Sequence, residues 1–498
     1  MKLLLGLDIG TTGARCIAID EEAHVVAAAS ASYPLDAPRP GWSEQRPQDW
    51  WAASREVIAG VVRGAGGEVA GIGLAGQMHG AVFLDARKEV IRPALLWNDQ
   101  RTSAQCEAIT ERVGAGRLLA IAGNPALTGF QAPKILWLRD EEPESYARVA
   151  AVLLPKDYVC LELTGELLTD ASDASGTLLL DLEQRTWSRE ILDALEIPSA
   201  WLPSVLEGPE VAGMTRPEIS RELGLPPGTP VAAGGGDNAA AAVGNGIISA
   251  GLASISIGTS GVVFAHSDRL TRDPSGRIHA FCHAVPERYH LMGVTLAAGG
   301  ALRWWRDVID RGGYEALDEL AAGAPPGAEG LLFLPYLTGE RTPHLDPHAR
   351  GAFVGLTSRH GLVHLTRAVM EGVAFSLRDS FELMAGLGVD PTEARITGGG
   401  AGSAFWCQLF ADVLGKTVLR AAVDEGPAYG AALLAGVGVG TFDSVEQACG
   451  AIAVPADVYE PRPVERRRYD AYYEAYRKLY SATRPAMHEL SNLVGPDT

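Results

Sequence analysis

Two spacings of apolar residues alternate along the chain. Short runs such as Val69–Gly76 (VAGIGLAG) and Ala81–Asp85 (AVFLD) are of strand length, whereas Leu365–Gly386 (LTRAVMEGVAFSLRDSFELMAG) returns its apolar positions every three or four residues. Strand-like and helix-like periods that alternate on both sides of a Gly/Ala-rich segment, Ala232–Gly246, predict an α/β fold in each half. Near the end, Tyr469, Tyr472, Tyr473, Tyr476 and Tyr480 fall at helical spacing, which predicts a helix laying a tyrosine stripe on the body of the protein.

An internal repeat organises these elements. Ile9–Gly13 (IGTTG) recurs as Ile257–Gly261 (IGTSG), and each copy lies between two apolar runs, so each reads as a strand-turn-strand hairpin half a chain from the other. A Gly/Thr turn offers N–H and hydroxyl donors of the kind that hold phosphate. The first copy nevertheless has a carboxylate, Asp8, at its edge, where the second has Ser256. With 498 residues, the chain is long enough for two domains of about 200 to 250 residues. The join is expected near Gly244–Gly251, dividing the chain into 1–245 and 246–498.

Composition narrows the partners. The chain is 47% hydrophobic and 21% charged, enough to fill two cores, and its formal charge of −19 argues against a duplex nucleic acid or an anionic membrane. Any anionic ligand must then be held by local groups or a metal. The six cysteines form no CxxC pair, which suggests neither a disulfide framework nor a zinc knuckle and fits a reduced cytosol. The apolar stretch Leu3–Leu7 is too short for a signal segment, and no run approaches the ~20 apolar residues of a membrane span, so a soluble, cytoplasmic protein is expected.

Three motif-like stretches fail on their context. Gly71–Gly76 (GIGLAG) fits a dinucleotide fingerprint, but Gln77-Met78-His79-Gly80 and an apolar run follow it in place of a helix. Gly415-Lys416-Thr417 lacks the earlier glycine of a P-loop, where Phe410 stands. His279, Cys282 and His283 have a spacing a metal could use, but the surrounding IHAFCHAV is apolar with no acidic residue nearby in sequence, which favours core packing. Two glycine clusters stay in play. Thr397–Trp406 (TGGGAGSAFW), with Gly399, Gly400 and Ser403, ends a strand and starts a helix, where backbone can approach a flat ring or a phosphate; a plain tight turn is the alternative. Asp237 lies in GGGDN and is either a functional carboxylate or a cap on the helix that NAAAAV begins.

Taken together, these residues resemble the pentulose kinases of the FGGY carbohydrate kinase family. The resemblance runs from Leu5 to about Gly436 and is carried by Gly41–Trp51 (GWSEQRPQDWW), Gly73–Asp85 (GLAGQMHGAVFLD), Leu95–Arg101 (LLWNDQR), Leu153–Tyr158 (LLPKDY), Ala233–Ala240, Ser256–Val262, Leu334–His344 (LPYLTGERTPH) and Gly426–Ala435. The second family signature is intact over Gly351–Glu371; in the first, Gly129–Trp137, Gln131 replaces the usual small residue. The resemblance implies two ribonuclease-H-like lobes, as in actin and the Hsp70 ATPase domain, hinged around ATP. It implies phosphorylation of D-xylulose at its terminal hydroxyl, with Asp237 as general base and Met78 and His79 as the sugar-binding pair. Trp97, Asn98 and Asp99 are either further sugar contacts or structural. It also implies that Asp8 acts through Mg²⁺, that Thr11, Thr12 and Gly13 face the phosphates, and that Gly258, Thr259 and Ser260 grip them from the other lobe. It leaves a homodimer open. Kinases acting on ribulose, gluconate or glycerol, and an ATPase whose output is a shape change on a protein partner, are the competing readings; QMHG, WND and GGGDN favour a sugar kinase.

Overall fold

Two mixed sheets organise the chain in the computed structural model, which describes residues 1–420, 426–452 and 457–494. Residues 421–425, 453–456 and 495–498 of the expected second domain therefore lie outside the described residues. The first sheet comprises β1 (Lys2–Ile9), β2 (Gly13–Ile19), β3 (Val25–Ser32), β4 (Glu68–Gly76), β5 (Val211–Met214) and β6 (Pro230–Gly236), in the spatial order β3-β2-β1-β4-β6-β5. The second comprises β7 (Leu252–Ile257), β8 (Gly261–Ser267), β9 (His279–Cys282), β10 (Tyr289–Thr295), β11 (Glu393–Thr397), β12 (Thr417–Arg420) and β13 (Asp457–Tyr459), in the order β9-β10-β8-β7-β11-β12-β13.

Without β9 the sheets match strand for strand. Each has an antiparallel hairpin at its centre, β1–β2 or β7–β8, and a third antiparallel strand beyond it, β3 or β10. On the other side lie two parallel strands, β4 and β6 or β11 and β12, and then an antiparallel edge, β5 or β13. This is the ribonuclease-H-like α/β fold, present twice.

β1 is apolar almost throughout because both its faces are covered: Leu3, Leu4, Leu5, Leu7 and Ile9 are all fully buried. On one side of the hairpin packs helix α1 (Pro47–Ala65). Before β7 comes the short helix α2 (Asp237–Gly244), and the long helix α3 (Leu362–Gly386) runs through the core of the second half, buried on nearly every face from Thr366 to Phe381. After helix α4 (Ala404–Leu414), helix α5 (Gly426–Gly438) returns from the second sheet to lie on the first. The approach is close enough to require glycine: a Cβ at Gly73 would stand 1.9 Å from the Ala431 carbonyl oxygen, and one at Gly430 would stand 1.7 Å from that of Ala240 on α2. Helices α2 and α5 thus pack backbone to backbone between the sheets.

The tyrosine stripe forms as expected, on helix α6 (Pro463–Val494), where Tyr469, Tyr473 and Tyr476 are buried against Phe375. Its polar tips do more than pack: the Tyr469 hydroxyl donates to Glu371 at 2.8 Å and that of Tyr473 to Asp379 at 2.6 Å. GIGLAG is the end of β4, Gly415 closes α4 in a left-handed conformation, and His279 and Cys282 lie on β9. Among the described residues, no helix is long and apolar enough to cross a membrane.

Candidate active site

The chemistry gathers at the ends of the central strands. At the end of β1, the Gly10–Thr12 turn is closed by the Gly10 N–H bonded to the Gly13 carbonyl at 3.0 Å. Side chains brace it from below. Gln45 donates to the Thr11 carbonyl at 2.7 Å, Gln77 donates to the Gly10 carbonyl at 3.3 Å and to Gln45 Oε1 at 3.0 Å, and the Trp50 indole donates to that same Gln45 oxygen at 2.9 Å. The Trp97 indole N–H donates to Thr11 Oγ1 at 3.0 Å. Gln45 and Gln77 were not singled out in the sequence, although both lie in stretches that carried the resemblance.

Asp8, two residues before the turn, has an oxygen, Oδ1, that is buried without a hydrogen-bond partner. Burial first, and then the charge of Asp237, push its carboxyl up to about 7, against a smaller pull from Arg15. Asp237 opens α2 directly after β6, which lies parallel to β4 as β4 lies parallel to β1, so the two carboxylates come from the same end of the sheet with β4 between them. Its Oδ1 accepts from the Asn238 backbone N–H at 2.6 Å and from Asn238 Nδ2 at 2.8 Å. The first bond satisfies a helix-terminal N–H, as the capping alternative required. Burial still pushes the Asp237 carboxyl up to about 6.

A 210 Å³ cavity opens beside Asp237. Met78, His79 and Trp97 line it from the first half of the chain, and Ser260 and Arg341 from the second. His79 sits in the left-handed region at φ 70°, uncommon for a non-glycine residue. The conformation is held from behind: buried Lys134 donates to the His79 carbonyl at 3.0 Å, and Gln131, the departure in the first signature, donates to the Gly80 carbonyl at 2.8 Å. Burial pushes the His79 imidazole down to about 3, so it is neutral. Its Nδ1–H donates to the Gly176 carbonyl at 2.6 Å, which leaves Nε2 as an acceptor. Asn98 does not line this cavity, and its Oδ1 is buried without a partner. Asp99 is structural: fully buried, it accepts from the Ser43 N–H at 2.7 Å and pairs with Arg101 at 2.7 Å.

A larger cavity, of about 430 Å³, lies in the second half. Gly258, Thr259, Gly399, Gly400 and Ser403 line it, as do Tyr314 and Asp318, which no sequence signal marked. Ser403 also caps α4, its Oγ accepting from the Trp406 N–H at 2.9 Å. The Gly258–Ser260 turn has a face on each cavity: Thr259 lines the larger and Ser260 the smaller. Thr12 and Gly13 line neither cavity; they stand at the β1–β2 turn, Thr12 exposed to solvent.

Among the described residues, no three His, Cys, Asp or Glu side chains are grouped as metal ligands. An orphaned buried oxygen on Asp8, within reach of a second carboxylate's charge, still fits a magnesium ion, which typically takes only one or two protein carboxylates and fills its shell with water and substrate phosphate.

Two ribonuclease-H-like lobes, each with a Gly/Thr turn at the end of its central strand, place the molecule in the two-domain α/β class shared with actin and the Hsp70 ATPase domain. The chain belongs, more particularly, to the FGGY family of carbohydrate kinases: the family's N-terminal domain matches residues 3–244 and its C-terminal domain residues 253–439. It is 42% identical to a xylulose kinase of Lactococcus lactis over 98% of this chain and 99% of that one, and 41% identical to one of Escherichia coli over 97% and 100%. Among solved structures, a xylulose kinase from Rhodospirillum rubrum superposes with a TM-score of 0.92 at 32% identity, covering 98% of this chain and 100% of that one.

Proposed function

We propose that the protein transfers the γ-phosphoryl group of ATP to the terminal hydroxyl of D-xylulose, giving D-xylulose 5-phosphate and ADP. The observation that carries this reading is the Gly258–Ser260 turn, which walls both the cavity holding Asp237 and the larger glycine-lined cavity, so a phosphate chain passing over it connects the two. The xylulose kinases that align with nearly the whole chain support the choice of sugar.

In this reading residues 1–245 form the acceptor lobe and 246–498 the nucleotide lobe, hinged around the cleft. The adenine end lies against Gly399, Gly400 and Ser403. Donors of Thr11, Thr12 and Gly13 face the phosphates from one lobe, and those of Gly258, Thr259 and Ser260 from the other. Asp237 accepts the proton of the attacking hydroxyl as its oxygen bonds to phosphorus, a contribution typically of ~10²- to 10⁴-fold. A carboxyl pushed up to about 6 is ionised at neutral pH yet basic enough for that task. Met78 and the neutral His79 hold the sugar, with Nε2 accepting from a hydroxyl. Asp8 would hold Mg²⁺, which when bound neutralises charge on the phosphoryl oxygens. The six cysteines, all free, suit a reducing cytoplasm.

ADP release, measured with purified protein against a panel of pentuloses and polyols, tests the proposal. Release should rise strongly with D-xylulose and stay near background with ATP alone. Sugar-independent release would favour a mechanical ATPase, and a stronger response to another acceptor would overturn the substrate.

A further inference from the structure

The acceptor cavity has a cationic end for which the proposed transfer has no use. Arg341, on the loop that follows the Leu332–Leu334 strand, lines the cavity from the second lobe. Its Nη2 donates to His279 Nε2 at 2.9 Å; the His279 Nδ1–H in turn donates to Asn124 Oδ1 at 2.7 Å, and Asn124 Nδ2 donates to the carbonyls of Ala122 and Ala280 at 3.0 and 2.8 Å. Each group in that series has only one role open to it, so the guanidinium is held in one orientation.

Among the described residues that guanidinium has no ion pair with a carboxylate, and the nearby charge that acts on it is that of Glu340. The adjacent Glu340 is turned to the main chain, accepting from the N–H groups of Leu296 and Arg341, both at 2.8 Å, and burial pushes its carboxyl up to about 8. A guanidinium partly withdrawn from water without a bonded carboxylate leaves donors open, which a ligand can satisfy by supplying the acceptor. Arg341 is tied to the His79 side of the cavity: the ring of His279, which holds it, and the ring of His79 both pack against Phe130 and Phe281, with centroid separations of 6.1 and 5.6 Å for His279 and 4.9 and 6.1 Å for His79.

One end of the cavity therefore offers a donor with no acceptor capacity, Arg341, beside an acceptor, His79 Nε2, whose ring proton is already engaged. An α-hydroxyketone is the complement of that pair, its carbonyl oxygen accepting from the guanidinium and its hydroxyl donating to the imidazole. We propose that Arg341 is a specificity-determining residue that, with His79, selects open-chain acceptors carrying a hydroxyketone at the end remote from Asp237. The proposal rests on the reading of this cavity as the acceptor site.

The test compares kcat/KM for D-xylulose with that for the alditols made by reducing its carbonyl, in wild type, Arg341→Met and Arg341→Lys. A hydrogen bond from a charged donor is worth about 1.5 to 3 kcal/mol, so Arg341→Met should lose about 10- to 100-fold on the ketose and change little on the alditols. Arg341→Lys should recover part of the loss. Unaltered ADP affinity and melting temperature in the variants would show that the cleft is intact. Equal losses on ketose and alditols, or none on the ketose, would overturn the proposal. A wild-type preference for a different 2-ketose would refute only the xylulose assignment, because the same carbonyl-dependent loss is then read on that sugar. A wild-type preference for alditols would refute both.

Discussion

The two Gly/Thr turns are alike in backbone and unlike in what supports them. The first is braced by side chains, Gln45, Gln77 and Trp97, and has the buried carboxylate of Asp8 behind it. Among the described residues the second is braced by main chain alone: the N–H of Gly299 donates to the Gly258 carbonyl at 2.9 Å, and those of Ala298 and Gly300 donate to the Thr259 carbonyl at 2.9 and 3.0 Å. That arrangement brings a helix start against the turn and leaves one side of the turn open to the larger cavity. One topology used twice thus has buried carboxylates, Asp8 and Asp237, at one end and a neutral turn open to a cavity at the other.

Removing the charge from the first turn should have the largest effect. Asp8→Asn is expected to lower kcat by ~10² or more, with only part recovered by raising Mg²⁺. It should also melt no lower than wild type at pH 8. The folded-state pKa of Asp8, about 7, stands above the reference value of 3.8, so its burial costs stability increasingly as pH rises from 3.8 to beyond 7, and asparagine escapes that cost. Wild-type turnover, or a steep fall in melting temperature, would mean that the two turns differ only structurally.

Next comes pH. Below about 7, kcat/KM should fall as Asp8 and then, near 6, Asp237 gain protons, and His79 should contribute nothing in that range, because it is already neutral. Asp237→Ala should keep a limb from Asp8 and lose the component near 6; an acid limb of unchanged shape and position in that variant would assign the lower titration to another group.

Crowding the second turn on its Thr259 side should act chiefly on the nucleotide. A Cβ at Gly300 would stand 2.8 Å from the Thr259 carbonyl oxygen, so Gly300→Ala must displace the turn where it lines the larger cavity, and it is expected to raise the KM for ATP about tenfold and that for the sugar by much less. Equal changes in both constants would show that the Ser260 side of the turn moves as far as the Thr259 side. The smallest effect is expected from Gln77→Ala, which removes the contacts of one neutral amide beneath the first turn and should cost about 1 to 3 kcal/mol of stability with a few-fold loss of kcat. A loss as large as that of Asp8→Asn would mean that the brace, not the carboxylate, is what matters there.

How much of this was legible depended on whether a residue acts through its neighbours in sequence or across the fold. The hairpins, the helix from Leu362 and the tyrosine stripe are local periodicities and were readable as such. The repeat of IGTTG as IGTSG anticipated the matching sheets because the turn occupies the same place in each. Arg341 was not readable: nothing in LPYLTGERTPH tells that a guanidinium will be held by a histidine 62 residues earlier. That histidine, set aside as a metal ligand, is buried on β9 and links Asn124 to Arg341. Asp99, left open between sugar contact and structure, was decided by a partner only two residues away, but the burial that makes the ion pair structural arises from tertiary packing.

The central claim is that Asp237 takes the proton of the attacking hydroxyl. Asp237→Asn keeps the size of the side chain and an oxygen to accept from Asn238 but removes the basicity, so the decisive measurement is its kcat with D-xylulose beside calorimetric affinities for sugar and nucleotide. The account predicts a fall of at least ~10², equivalent to about 2.7 kcal/mol of barrier, with both affinities within a few-fold of wild type. Turnover within a few-fold of wild type would contradict it and leave Asp237 as a residue that caps α2 or positions the sugar.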